Sequence, residues 1–179
     1  KINAIVFDKT GTLTKGEPAV TDVVTDPKTE ERELEVLKLA GSVERGSEHP
    51  LAQAVVRGAE ARGISLEEPK EFLNIPGKGV KANIAGRLIL VGNEALMAEH
   101  GIHYDRWHTE IEHLQNEAKT VVYVADEKDV LGLVAMADTL KDYVKEAISM
   151  LKKMKFEILM LTGDNEKTAQ AIAREVGID

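Results

Sequence analysis

The stretch AIVFDKTGTLT at residues 4–14 decides the fold of this chain. It begins within a short, largely apolar run at residues 2–7, and a polar turn containing Gly11 follows at once. An apolar run of this length that stops at a turn predicts a buried β-strand. Asp8 is therefore expected just past the end of that strand, at one edge of a sheet.

The last part of the chain repeats this arrangement. Another apolar run, residues 156–161, is followed by the turn TGDN, which contains Asp164. Apolar residues recur at helical spacing in two flanking segments, residues 139–155 and 166–176. This order of elements predicts a parallel sheet whose ligand site lies at the carboxyl ends of the strands, where Asp8 and Asp164 would meet.

The middle of the chain predicts a different arrangement. Two segments look helical, residues 30–39 and 51–62, and four look like strands, residues 80–84, 88–91, 121–125 and 130–135. The turns between these strands are tight, which indicates antiparallel pairing. We therefore expect a second, α+β domain at residues 20–134, inserted between residues 1–19 and residues 135–179 of the first domain.

Composition limits the kinds of partner and site. The 179 residues include 31 acidic residues against 23 Lys and Arg, a formal net charge of -8, so nucleic acid is not an expected partner. The chain has no cysteine and therefore no thiolate ligand for a soft metal ion. Its longest apolar stretch, residues 130–137, is far shorter than the roughly 20 residues that cross a bilayer, so a soluble chain without a secretory signal is expected.

The string DKTGTLT carries the strongest chemical signal. A carboxylate at a strand end, beside the hydroxyls and backbone N–H groups of a turn, can attack a phosphoryl group while those donors hold its oxygens. The alternative is an ordinary strand-to-turn junction that contains Asp and Gly. The full string favours Asp8 as a nucleophile.

The turn at residues 162–165 is a second candidate. Thr162 and the Gly163 N–H can bind phosphate oxygens close to the start of a helix. The alternative is a helix cap made by Asp164 or Asn165. The sequence DTLK at residues 138–141 is a weaker signal of a functional site, because it is equally compatible with a capped helix start.

Other motifs lie in the middle of the chain. SEHPLA at residues 47–52 contains His49 and follows Glu44, although a lone histidine is more often structural than functional. GKGV at residues 77–80 precedes a strand, so its superficial match to a dinucleotide-binding fingerprint lacks the required helix. Gly92 and Asn93 can also be explained as a turn followed by an Asn helix cap.

Two patterns are rejected as sites. Residues 41–46 have P-loop spacing but no following lysine to contact phosphates. The histidines at positions 100, 103, 108 and 113 are spaced so that only His100 and His103 could share a helix face, and Gly101 makes that helix doubtful. We expect these imidazoles to be solvated and Trp107 to pack in the same segment.

Together these motifs resemble those of P-type ATPases of the heavy-metal-transporting branch. DKTGT at residues 8–12 is identical to the phosphorylation motif of that family, TGD occupies the corresponding position, and SEHPLA looks like the hallmark of its nucleotide-binding domain. The resemblance covers essentially the whole chain. It implies a haloacid dehalogenase-like, Rossmannoid parallel sheet with an inserted α+β nucleotide-binding domain built on an antiparallel sheet.

The resemblance also implies roles for individual residues. Asp8 would be phosphorylated, and the residues beside it in the catalytic motifs would be Lys9, Thr10, Thr162, Gly163 and Asp164. ATP would be held by Glu44, which reads the adenine amino group in the family, and by His49, Gly77, Gly79, Gly92 and Asn93. Mg²⁺ would bridge the Asp8 carboxylate, the Thr10 carbonyl and the phosphate. Residues 138–141 resemble a looser motif that borders the nucleotide phosphates.

Thr10 separates two activities within the wider superfamily. Haloacid dehalogenase-like phosphatases, which the chain resembles more loosely, usually carry a second Asp at this position as general acid and water activator. A threonine hydroxyl cannot do this near neutral pH. The aspartyl phosphate is therefore expected to persist, as a pump requires.

The implied parent is a membrane pump that couples ATP hydrolysis to export of a metal ion. This segment would lie at the cytoplasmic face, with the transmembrane and actuator domains of the same pump as partners, and would not bind the transported ion. Residues 77–91 and 174–179 look closest to the copper branch. A zinc- or cadmium-type pump, a soluble phosphatase and a non-enzymatic nucleotide-binding module remain alternatives.

The family's phosphorylation domain continues past residue 179 into a phosphate-binding Lys and a GDGxND motif, so this segment alone is expected to bind ATP without turnover.

Overall fold

A computed structural model describes residues 3–162 and 166–178 of the chain, and side chains are described outside residues 163–168. The strands in this part are β1 Ala4–Asp8, β2 Thr14–Thr25, β3 Lys70–Ile75, β4 Gly79–Ile84, β5 Arg87–Gly92, β6 Thr120–Ala125, β7 Val130–Leu140 and β8 Glu157–Leu161. The α-helices are α1 Glu30–Glu44, α2 Pro50–Glu60, α3 Glu94–Glu99, α4 His108–Asn116, α5 Val144–Lys153 and α6 Glu166–Val176.

The strands form two separate sheets. β1 and β8 pair in parallel, with Asp8 opposite Leu161, as the sequence predicts. The other six strands form one antiparallel sheet in the order β2-β7-β6-β5-β4-β3. The expected fold class, a parallel sheet combined with an antiparallel α+β unit, is confirmed.

Helices cover both faces of the six-stranded sheet. On one face, α1 and α2 pack over a core that includes Leu37 and Ile89. On the other face, α3 and α4 enclose a core that includes Leu90 and Trp107. Ile89 and Leu90 are neighbours on β5 and enter opposite cores because successive strand side chains point to opposite faces. Trp107 is only 4% exposed, which confirms its packing role.

A third, smaller core supports the parallel pair of strands. Ile148 of α5, Ile158 of β8 and Val176 of α6 are buried together with Leu13, which follows β1. The side chains of Val6 and Leu161 point away from this core and are exposed. β1 and β8 are therefore supported from one side by α5 and α6, which fixes the strand ends that carry Asp8 and Thr162.

The structure corrects the expected helix at residues 139–155. β7 continues to Leu140, and α5 begins only at Val144. Leu140 pairs with Thr14 of β2, so pairing between strands prevails over local helical spacing. Tyr143, with a φ of 69°, separates the strand from the helix.

Three elements have no counterpart in the sequence predictions, namely β2, β3 and α4, and α3 is anticipated only by the helix-cap interpretation of Asn93. β2 is the most consequential, because its 12 residues run from the phosphorylation motif into the antiparallel sheet. β2 crosses the expected boundary between residues 19 and 20, and β7 crosses the one between residues 134 and 135. The two units are thus joined by a continuous pair of strands.

In the described ranges, every helix is too short or too polar to traverse a lipid bilayer.

Candidate active site and nucleotide site

Asp8 lies at the carboxyl end of β1 with an exposed side chain. Its Cα partner across the parallel pair is Leu161, so Thr162 follows directly at the neighbouring strand end. Thr162 is half-buried. The structure thus brings Asp8 and Thr162 to one edge of the sheet, while Gly163 and Asp164, the predicted partner of Asp8, lie outside the described residues.

A tight turn, Lys9–Leu13, follows Asp8. Gly11 adopts a φ of 75° within it, in the left-handed region that glycine tolerates best. Thr10 and Thr12 are exposed, whereas the Lys9 side chain is only 7% exposed. Lysine is rarely buried so deeply. Lys9 therefore belongs to the support of the turn, and Asp8 and Thr10 form its accessible surface.

Thr14 and Asp138 hold this turn from the neighbouring strand. The Thr14 hydroxyl is fully buried, accepts a hydrogen bond from the Gly11 N–H at 3.2 Å, and contacts the Asp138 carboxylate and, at 3.1 Å, the Lys9 carbonyl. Its single proton goes to the carboxylate, which is the stronger acceptor. The other Asp138 oxygen accepts from the Gly16 N–H at 3.0 Å.

Lys141 holds the same turn from the other end of the DTLK segment. Its ammonium group donates a hydrogen bond to the Gly11 carbonyl, and its backbone N–H donates to the Leu13 carbonyl at 2.9 Å. The interpretation of residues 138–141 as a capped helix start is wrong, because they end a strand. Asp138 and Lys141 instead position the turn that carries Asp8, a role that sequence reasoning missed.

Glu44 is the last residue of α1. Its side chain is half-buried, and burial raises the pKa of the carboxyl to about 7. The loop from α1 to α2 starts here, with the Ser47 N–H donating to the Glu44 carbonyl at 2.9 Å. Glu44 is thus a carboxyl group with a perturbed pKa close to His49 in sequence, a combination typical of functional sites.

His49 is the N-cap of α2, directly before Pro50. Its Nδ1 accepts a hydrogen bond from the Leu51 N–H at 3.2 Å, and its ring is exposed. This bond places the proton of the neutral imidazole on Nε2, which faces away from the cap and can donate to a ligand. The structural and the functional interpretation of His49 are therefore compatible, because they use different ring nitrogens.

Gly46 fixes the loop that carries His49 onto the sheet. A Cβ at this position would lie 2.6 Å from the ring of Phe72 on β3. Gly41 is equally restricted, since a Cβ there would lie 2.9 Å from the Leu66 side chain. The glycines that imitate P-loop spacing are therefore packing residues, which supports rejecting that motif.

Gly79 and Gly92 face each other across β4 and β5. A Cβ on Gly79 would lie 2.2 Å from the Val91 carbonyl oxygen, and one on Gly92 would lie 2.2 Å from the Lys78 carbonyl oxygen. Close backbone packing alone explains both residues. Gly77 differs, because its φ is 74° and a Cβ there would have no atom within 4 Å. Among these glycines, Gly77 leaves space for a ligand.

Asn93 links this hairpin to α3. Its side-chain oxygen accepts from the Leu96 N–H at 3.2 Å as the N-cap of α3, and its amide nitrogen donates to the Gly77 carbonyl at 2.8 Å. The helix-cap interpretation of Asn93 is confirmed. The same side chain also holds Gly77 in place.

The histidines at positions 100, 103, 108 and 113 differ in exposure, and His100 departs from the expectation that all four are solvated. His103, His108 and His113 are exposed, as expected. His100 is half-buried, with its ring nitrogens 3.1 Å from the Leu96 carbonyl and 3.3 Å from the Lys81 ammonium. No group of three candidate metal ligands occurs among the described side chains.

The sequence matches the family described as haloacid dehalogenase-like hydrolases over residues 2–179. Because this match covers nearly the whole chain, the protein belongs to the haloacid dehalogenase-like hydrolase family.

The relatives that the chain matches include metal-transporting P-type ATPases. The chain is 42% identical over its full length to a copper-exporting P-type ATPase of Staphylococcus saprophyticus, and it spans 22% of that protein. The crystal structure of a zinc-transporting PIB-type ATPase in an E2.Pi state matches the whole chain with a TM-score of 0.89 and 36% identity, over 28% of that structure. The catalytic domain of the CPx-ATPase CopB-B matches 99% of the chain with a TM-score of 0.63 and 28% identity, over 61% of that domain.

The chain therefore spans about a fifth of the length of its curated relatives. Its resemblance to the catalytic region of heavy-metal P-type ATPases is confirmed.

Proposed function

We propose that this chain is the ATP-binding and phosphorylation region of a P-type ATPase that exports a heavy-metal ion, and that Asp8 accepts the phosphoryl group. One observation carries the proposal. The DKTGT turn lies at the carboxyl end of β1 beside the end of β8, and Asp8 is exposed there. Asp138 and Lys141 hold the turn through hydrogen bonds. A preorganised carboxylate of this kind suits phosphoryl transfer, in which positioning supplies most of the catalysis.

The proposed step is a direct displacement. A carboxylate oxygen of Asp8 attacks the γ-phosphorus of ATP, the bond from phosphorus to the ADP oxygen breaks, and ADP leaves. A phosphatase needs an acidic residue at the position of Thr10, because that residue activates the water molecule that hydrolyses the acyl phosphate. Thr10 favours a persistent phosphoenzyme over a soluble phosphatase, and the intact DKTGT motif argues against a purely nucleotide-binding module.

The residues at the turn fit a Mg²⁺ ion. The Asp8 carboxylate and the Thr10 carbonyl are hard oxygen ligands on an exposed turn, and Mg²⁺ in phosphoryl-transfer sites is held by one or two protein oxygens with water and phosphate completing its shell. When bound, the ion would neutralise charge on the transferring phosphoryl group. The chain itself keeps the two oxygens in place through the bonds of Thr14, Asp138 and Lys141.

Residues 20–134 are proposed to be a nucleotide-binding domain, flanked by the two parts of a phosphorylation domain. The half-buried Glu44 carboxyl, the outward Nε2 of His49 and the open backbone at Gly77 would bind ATP. Gly79, Gly92 and Asn93 would shape the pocket by fixing the backbone around Gly77. The CopB-B catalytic domain, a similar protein studied in nucleotide binding, supports this assignment.

Copper is the proposed transported ion. The copper-exporting relative is 42% identical to the chain, against 36% for the zinc-transporting PIB-type ATPase, although the structure of the zinc-transporting protein matches the whole chain with a TM-score of 0.89. We give the sequence identity more weight, because the fold of an ATP-handling region is shared by pumps for different metals. A zinc-type pump is the second candidate.

In either case, the proposed partners are the transmembrane and actuator domains of the same pump, with this region on the cytoplasmic side.

The proposed function predicts weak nucleotide binding by residues 20–134, with a dissociation constant nearer millimolar than nanomolar, about -4 to -6 kcal/mol. The affinity should be weak because Glu44 and His49 would read the base without a P-loop around the phosphates. The measurement is an NMR titration with ATP. Shifts at Asp8 and Thr162 without shifts at Glu44 and His49 would show that the adenine pocket is wrongly assigned.

A second expectation separates the two roles of His49. His49→Ala should weaken ATP binding by about 1–3 kcal/mol, the cost of leaving a desolvated polar group without its partner. His49→Asn keeps an N-cap acceptor for the Leu51 N–H, so it should lose binding while retaining thermal stability. Calorimetry and thermal unfolding measure the two effects. His108→Ala is the matched control on an exposed histidine, and an equal loss of binding in that variant would contradict the assignment.

A further inference from the structure

The Glu44 carboxyl is in an unusual position. It is half-buried at the carboxyl end of α1, where the free helix carbonyls disfavour a negative charge, and the last turn of α1 contains no basic residue. Among the described residues, no hydrogen bond or ion pair reaches this carboxyl group. Charged carboxylates in such places normally have a partner.

Most cations close to Glu44 in sequence and on the elements packed against α1 have other partners, and Lys15 is exposed at the start of β2. Arg45, the next residue, lies 3.2 Å from Glu68 and 3.5 Å from the Leu66 carbonyl. On α2, Arg57 donates to the Pro18 carbonyl at 3.4 Å.

The same holds for the packed strands. Lys81 of β4 lies 3.3 Å from His100, and Arg87 of β5 reaches Glu35 and Asp126. On β2, Asp22 is paired with Lys119 at 2.8 Å. Burial is the cause of the raised pKa of Glu44, to about 7, and no charged group contributes. Near neutral pH the carboxyl is therefore protonated in a large fraction of molecules.

We propose that Glu44 reads the adenine base as a neutral carboxylic acid, donating its O–H to adenine N1 and accepting a hydrogen bond from the exocyclic amino group. This inference deepens the proposed function and depends on it, because the assignment of Glu44 to the adenine pocket belongs to that proposal. It makes the protonation state of Glu44 a determinant of base specificity.

The reason is complementarity of donors and acceptors. The edge of adenine presents an N–H donor beside the N1 acceptor, and a protonated carboxyl group presents one acceptor and one donor in the same spacing. A carboxylate has acceptors only, so it would satisfy the amino group and direct a lone pair at N1. A ligand that covers Glu44 also removes its remaining water, which favours the neutral form further.

The inference fixes the sign of the pH dependence. Because the neutral form binds, the pKa of Glu44 rises further in the complex. The affinity for adenine is then fully present below the pKa of the free protein, near 7, and is lost as the pH rises through the higher pKa of the complex. If the pKa rises by about one unit in the complex, linkage of one proton gives a dissociation constant about five- to tenfold larger at pH 8.5 than at pH 6.

The experiment measures adenosine binding to the full chain at pH 6 and pH 8.5, using methyl resonances of residues around Glu44, such as Val43. Adenosine is used because it has no group that titrates in this range, whereas the phosphates of ATP do. Glu44→Gln is the key variant, since its amide imitates the neutral acid with one donor and one acceptor. Glu60→Gln, at an exposed position on α2, is the matched control.

The wild type and Glu60→Gln should lose affinity at high pH, while Glu44→Gln should bind equally at both values. His49 is present in all three proteins, so any pH dependence caused by its imidazole would also appear in Glu44→Gln and is removed by comparison with that variant. With 1-deazaadenosine, which lacks the N1 acceptor, the wild type should bind weakly at both pH values.

Adenosine affinity that is unchanged or stronger at pH 8.5 in the wild type would overturn the inference while leaving the adenine pocket intact. The same conclusion would follow if 1-deazaadenosine showed the pH dependence of adenosine. If adenosine shifts no resonance near Glu44 or His49 at pH 6, the proposed nucleotide site itself is wrong. The two failures are thereby distinguished.

Discussion

Asp8→Asn is expected to abolish formation of an acid-stable, hydroxylamine-labile phosphoenzyme. An amide is a poor nucleophile, and it also removes a negative ligand from the proposed Mg²⁺ site. Asn has nearly the same shape as Asp, and position 8 is exposed, so the fold should be retained. The measurement uses a longer pump polypeptide that contains the phosphate-binding Lys and the GDGxND motif implied by the family resemblance. The protein is incubated with labelled ATP and Mg²⁺ and quenched in acid.

Asp142→Asn is a suitable control for this experiment. Asp142 is exposed between β7 and α5, so its amide should leave labelling unchanged. The wild type and the Asp142→Asn variant should retain the label after the acid quench. Subsequent treatment with hydroxylamine should remove it. Equal label on the wild type and Asp8→Asn would show that Asp8 is not the phosphorylated residue, and the proposed function would fall with it.

Asp138→Ala should have the second-largest effect, although Asp138 takes no part in the proposed chemistry. Its removal leaves the Gly16 N–H without its acceptor and leaves the buried Thr14 hydroxyl only the weaker Lys9 carbonyl, at 3.1 Å. Hydrogen bonds to a charged group typically contribute about 1.5–3 kcal/mol each, so we expect the free energy of unfolding to fall by about 2–4 kcal/mol. The turn at Lys9–Leu13 should also lose its fixed position, and phosphorylation of Asp8 should fall by roughly ten- to a hundredfold.

Two measurements test this positioning role. Chemical denaturation reports the stability, and acid-quenched labelling reports the phosphorylation at saturating ATP. Asp142→Ala, four residues away and exposed, should change neither value. If Asp138→Ala loses stability but labels at the wild-type rate, Asp138 supports the fold without positioning Asp8. If ATP affinity falls while labelling at saturation is normal, the interpretation from the sequence, in which Asp138 borders the nucleotide, is correct.

Several elements could be predicted from the sequence because their signals are local. β1 and β8 are short apolar runs that stop at polar turns, and α6 follows its apolar spacing from Glu166 to Val176. By contrast, β2 contains Gly16 and Pro18 and has a mostly polar, exposed start. It becomes a strand because β7 pairs with it, with a register irregularity between Thr14 and Pro18. No pattern within residues 14–25 reports that partner.

The glycines of the proposed nucleotide site show a different limit of sequence-based prediction. Gly77, Gly79 and Gly92 look equivalent in the sequence, and all three were expected to border ATP. Their neighbours in space differ, since Gly79 and Gly92 pack against opposing carbonyl oxygens while Gly77 faces open space. A missing Cβ can admit either a ligand or another strand, and the sequence cannot show which.

The sequence by itself determined the chemistry, because that chemistry depends on residue types in contiguous order. In the proposed function, DKTGT supplies the nucleophile and, through Thr10, lacks the acid that would promote hydrolysis of its phosphate. The tertiary structure alone decided which groups hold that motif in place and which protonation state a side chain favours. Asp138 reaches Thr14 across 124 positions of sequence, and Glu44 has a pKa near 7 because folding buries it without a cation. Both effects arise from groups brought together, or kept apart, by packing, and packing is a property of the folded chain.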